Sequence, residues 1–68
     1  MTQFGTRLKE LRIEKGISQH TLALEIKYGQ SSISDWEMEK VDPPATAVLV
    51  VADYFDVSTD YLLGRTEI

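Results

Sequence analysis

Two short apolar-patterned segments sit three residues apart, and that spacing limits this chain more than any other feature. In the first, Ser18 stands before Gln19-His20-Thr21 as an N-cap, and Leu22 and Ile26 lie one helical turn apart with the small Ala23 beside them. In the second, from about Gln30 to Met38, Ile33, Trp36 and Glu37 share one face, while Ser31, Ser34, Asp35 and Met38 fall on the opposite one. Lys27-Tyr28-Gly29 breaks the pattern between them. Two helices joined so closely must turn a corner, and Ala23 is small where they would cross.

The flanking sequence supplies what such a corner packs against. Phe4, Leu8 and Leu11 repeat at helical spacing among Arg7, Lys9, Arg12 and Lys15, and Gly16 ends that helix. Downstream, Asp42-Pro43-Pro44 closes a loop, with Asp42 the expected cap of a fourth helix and Pro43 in its first turn. Val48, Leu49, Val51, Ala52 and Phe55 give that helix an apolar face. Ser58 caps a last short helix that Gly64 stops. The expected architecture is one compact all-α domain of four to five helices over residues 1–68, with helices near 3–15, 18–26, 30–38, 44–55 and 59–63.

Composition removes several functions. With no cysteine in 68 residues, disulfides and thiolate metal sites are excluded. No apolar run is long enough to span a bilayer and no leader precedes Phe4, so the expectation is a cytoplasmic protein without a membrane partner. His20, the only histidine, has no partner constellation for metal binding or catalysis. No Gly-rich phosphate loop or metal-ligand spacing appears. The expectation is a non-enzyme with no metal, no cofactor and no small-molecule substrate.

The net charge of −4 argues against a nucleic-acid partner until its distribution is considered. Residues 1–34 carry five basic and three acidic side chains, whereas residues 35–68 carry two basic and eight acidic ones. The charge is segregated, as a binding face requires.

The corner is the helix-turn-helix geometry, whose second helix enters the DNA major groove by its N-terminal residues. Here the resemblance becomes specific. "FGTRLKELRIEKGISQHTLALEI", then "SSISDWEMEKVDPP" and "VADYFDVSTDYLLG", resemble the Cro and lambda-repressor type of helix-turn-helix domain across roughly residues 4–64. The resemblance implies a lambda-repressor-like fold that binds double-stranded DNA. It places Gln30, Ser31, Ser34 and Asp35 where bases are read, and Gln19, Ser18, Lys40 and Ser32 where phosphates are contacted. Glutamine can bond adenine bidentately, and a carboxylate accepts from cytosine N4, so Asp35 is either a cytosine-selecting device, the preferred reading, or a sign of weak DNA binding. Arg12 and Glu37 resemble the family's ion pair between the first and third helices, which turns Glu37 away from DNA.

The departures from the family pattern matter too. Lys27 stands where the family's turn usually has glycine, so the turn is strained or different there. Met38 replaces a commonly polar residue, and Val41 to Pro44 offer the backbone of DNA neither positive charge nor, at the prolines, an N–H. The resemblance further implies a homodimer. Tyr61, Leu62, Val50 and Ile68 are candidates for its interface, with core the alternative place for Leu62, and Leu24 and Tyr54 are further apolar residues at positions where polar ones belong. The function expected is a repressor-type transcriptional regulator on a pseudo-palindromic operator. The alternative is a protein-interaction module on the same fold, antitoxin-like or anti-repressor-like, whose acidic half engages a partner.

Overall fold

A computed structural model describes residues 2–67. Five helices follow one another: α1 (Phe4–Lys15), α2 (Gln19–Ile26), α3 (Gln30–Glu37), α4 (Ala45–Phe55) and α5 (Thr59–Leu62). No strand occurs among the described residues. The architecture is the all-α, lambda-repressor-like one. Helix α1 packs on α3 and α5, α2 packs on α3 and α4, and α4 packs on α5.

Local chemistry sets the helix ends. Ser18 and Ser58 accept hydrogen bonds from the backbone N–H groups of Thr21 and Tyr61, capping α2 and α5. Gly16 takes the left-handed conformation that closes α1 (φ 77°). The start of α4 departs from expectation. Pro44, not Asp42, is its N-cap residue, and no side chain caps it. The extended backbone at Pro44 (φ −68°, ψ 158°) brings the chain into the helix without help from Asp42.

Leu8, Leu22, Ile33, Val51 and Leu62 are fully buried and, with Phe4, Ala47 and Trp36, form the core. Trp36 is its aromatic centre, meeting Phe4 and Tyr28 edge-on at ring distances of 6.0 and 5.2 Å. Gly5 lets α1 press on the α3 backbone, because a Cβ at that position would lie 2.0 Å from the Trp36 carbonyl oxygen.

Two apolar side chains depart from the places expected of them, Leu62 from the resemblance and Leu49 from periodicity. Leu62, expected at a dimer interface, has 0% exposure and belongs to the core. Leu49, expected on the apolar face of α4, is 57% exposed. Helix α5 is too short to cover more than a narrow strip of α4, and Leu62 takes the inner position. Of the remaining interface candidates, Val50 is exposed and Tyr61 half-buried, while Ile68 lies outside the described residues.

Candidate nucleic-acid interface

The α2–α3 corner is held by one polar cluster. Arg12, from α1, donates from Nε to Glu37 Oε2 at 2.7 Å and from Nη2 to Glu37 Oε1 at 2.9 Å. This is the bidentate geometry that makes arginine–carboxylate pairs directional. The Glu37 side chain is 2% exposed, so the carboxylate expected on the core face is enclosed. Hydrogen bonding to Glu37 raises the Arg12 pKa above its ordinary value, partly offset by desolvation and reinforced by the Glu37 charge. A raised folded-state pKa stabilises the fold at every pH below the unfolded value, so this contribution is lost only at strongly alkaline pH.

Two further ties were not legible in the sequence. Arg12 Nη1 donates to the Ile17 carbonyl at 3.0 Å, just ahead of the Ser18 cap. Gln19, the first residue of α2, donates from Nε2 to Glu37 Oε1 at 3.0 Å. The carboxylate therefore joins α1, α2 and α3.

The turn itself is short because Lys27 adopts the left-handed conformation (φ 62°, ψ 42°). A non-glycine residue there carries steric strain of about 1–2 kcal/mol. The turn is also braced from outside: the Tyr28 hydroxyl and the Thr46 hydroxyl of α4 are 3.2 Å apart, within hydrogen-bonding distance.

Beyond the braced turn, the start of α3 is open. Gly29 precedes it in extended conformation without a side-chain cap. The first N–H groups of a helix have no partner within it, and they carry the positive end of the helix dipole. Gln30 and Ser31 are exposed at this end, and Ser32, Ser34 and Asp35 are half-buried along the following turn. Among the described residues, no cation pairs with Asp35. Lys27 is exposed before the helix and Lys40 after it. Ser18 differs from these residues. Its hydroxyl caps α2 and donates to Thr21 Oγ1 at 3.1 Å, so any anion contact there falls to its backbone.

The segment after α3 offers DNA a single exposed cation, Lys40, beside the exposed carboxylates Glu39 and Asp42. Met38 and Val41 are exposed, and Glu39 turns in the left-handed region (φ 58°) with its carboxylate accepting from Thr6. No cluster of metal-ligating side chains occurs among the described residues. No helix among them is long and apolar enough to cross a membrane.

The order, spacing and open second helix of this corner have counterparts in known proteins. Residues 8–62 match the helix-turn-helix family HTH_3. The chain belongs to the Cro/lambda-repressor-type helix-turn-helix family. Within it, the HTH-type transcriptional regulator ImmR of Bacillus subtilis (strain 168) is 38% identical over 64 residues, covering 94% of this chain and 50% of ImmR. The chain spans about half the length of the curated relatives it matches. Among solved structures, the P22 c2 repressor in complex with a synthetic operator superposes with a TM-score of 0.87 at 26% identity, covering 97% of this chain and all of that one. The restriction-modification controller protein C.AhdI from Aeromonas hydrophila gives a TM-score of 0.80 at 33% identity, covering 90% of this chain and 92% of its own.

Proposed function

We propose that this domain, with residues 1–68 as one folding unit, reads double-stranded DNA as a repressor-type transcriptional regulator. The observation that carries this reading is the start of α3: an uncapped helix end with exposed Gln30 and Ser31, mounted on a corner that Glu37 and Arg12 hold rigid. The likeness to an operator-bound repressor supports it. In the proposed complex α3 enters the major groove. Gln30 and Ser31 meet base edges first, Ser34 and Asp35 follow along the same turn, and Asp35 accepts from a cytosine amino group. Lys40, Ser32 and the backbone at Ser18 and Gln19 meet phosphates.

Two molecules related by a two-fold axis would set two α3 helices about one DNA turn apart. Val50 is the exposed candidate for that contact, and Leu49 now joins it on the same helix.

Exposed cations are few around α3, and Met38 and Val41 occupy the following loop. Fewer phosphate contacts mean a shallower dependence of affinity on salt than a basic reader has. The test is selection from a random duplex library at low salt. A recovered palindrome with half-sites about one turn apart supports the reading. Replacing Gln30 with alanine should then cost about 1–3 kcal/mol and relax one base position. A folded protein that enriches no motif would count against it, in favour of the protein-interaction alternative or of a dimerisation segment outside these residues.

A further inference from the structure

Glu37 has one bond more than an architectural ion pair needs. Its Oε1 accepts from both Arg12 Nη2 and Gln19 Nε2, at 2.9 and 3.0 Å. We propose that Glu37 is a positioning residue for nucleic-acid recognition: it fixes the amide of Gln19 so that the side chain shows DNA its carbonyl oxygen and one remaining N–H. The proposal rests on the DNA-binding reading above for its consequence, but not for its geometry.

Chemistry alone dictates the direction of the amide. A carboxylate that receives a guanidinium on both oxygens has only acceptors to offer. The end of the Gln19 side chain that faces it must therefore be the NH2 group. Flipping the amide would set two oxygens against each other beside a carboxylate that is 2% exposed, where no water can relieve the repulsion. The same guanidinium also holds the Ile17 carbonyl, two residues before Gln19, so backbone and side chain at the start of α2 are pinned to α3 through one group.

The consequence concerns what Gln19 can contact. A phosphate only accepts, so Gln19 can give it a single side-chain N–H. The outward carbonyl oxygen instead suits a donor, either a base amino group or the side-chain amide of another residue. Glu37 thereby ties the contact made at the start of α2 to the placing of α3.

The free protein provides the first test. Hydrogen exchange of the side-chain amides, followed by NMR, should show one Gln19 hydrogen exchanging at least about tenfold more slowly than those of the exposed Gln30, as a bond to a buried charge requires. Equal rates at Gln19 and Gln30 would overturn the proposal even if DNA binding is secure. The second test is a double-mutant cycle on a selected duplex, using Gln19→Ala and Glu37→Gln, with each variant first verified as folded. Gln19→Ala should weaken binding about tenfold in the native background and less than about twofold beside Glu37→Gln. An equal loss in both backgrounds would reduce Glu37 to architecture. If the native protein binds no duplex, the functional reading fails, and the exchange rates alone decide whether Glu37 orients Gln19.

Discussion

Helix α1 carries two largely buried arginines, and they are satisfied in opposite ways. Arg12 meets a carboxylate, the bidentate Glu37 on α3. Arg7, 8% exposed, meets mainly backbone and neutral groups: the carbonyls of Tyr61 and Thr66 at 3.1 and 2.9 Å, Gln3 Oε1 at 3.2 Å, and the Tyr61 ring at 4.2 Å. Among the described residues its one ionic partner, Glu67, stands 3.7 Å away with a side chain 91% exposed. Both arginines clamp α1 to a neighbour, but to different ones. Arg12 fixes the helix-turn-helix corner, and Arg7 fixes α5 and the segment that follows it. A charge buried against a charge depends mainly on that one partner: without Glu37, Arg12 would keep only its bond to the Ile17 carbonyl. A charge buried against several carbonyls divides that dependence among them.

Substitutions can break the comparison, and the largest effect belongs at the Arg12 end. Glu37→Ala strands a buried guanidinium and should cost about 3–5 kcal/mol, enough to leave so small a domain mostly unfolded in a urea titration. Gly5→Ala, where α1 presses on α3, should come next. Its methyl group meets the Trp36 carbonyl, α1 must lift from α3, and circular dichroism should register a loss of about 3 kcal/mol. At the other clamp, Arg7→Met keeps the buried stem but loses the guanidinium's bonds to the Tyr61 and Thr66 carbonyls, the first of which still accepts from the Gly64 N–H, for a loss of about 2 kcal/mol. Amide exchange should quicken over residues 64–67, while the folded fraction keeps its affinity for a selected duplex. A loss at Arg7 as large as that at Glu37 would end the distinction between the two clamps.

The remaining two changes sharpen it. Lys27→Gly relieves the left-handed turn beside the Arg12 cluster and should raise stability by about 1 kcal/mol, visible as a higher thermal midpoint. Glu67→Ala removes the exposed charge near Arg7 and should leave the thermal midpoint unchanged, because the carbonyls and the ring still hold the guanidinium.

How much of this was readable in advance follows the same division. The Arg12–Glu37 pair was legible because both partners are side chains with opposite charge on faces that periodicity and family resemblance bring together. The Arg7 clamp left no comparable trace, since a backbone carbonyl looks the same at every residue. In the sequence Arg7 reads as one of four cations on the polar side of α1. The third bond to Glu37 was hidden for a related reason: Gln19 is equally suited to a cap position, a phosphate or solvent, and only the nearby carboxylate selects among them. Gly5 gave a weak signal, because a glycine inside a helical pattern indicates close packing but not its partner.

The sequence by itself determined the order of the five helices, the glycine and serine residues that end or begin several of them, the short corner after Ile26 and most of the core stripe. These are local matters, decided by capping chemistry and by a period of 3.6 residues. Only the tertiary structure decided that Leu62 is core and Leu49 is surface, that α1 touches the backbone of α3 at Gly5, and that Arg7 is enclosed. Periodicity identifies which side chains share a stripe but not how wide a stripe the neighbouring helix covers. Helix α5 is four residues long, and its narrow footprint on α4 settles which of the apolar side chains leave water.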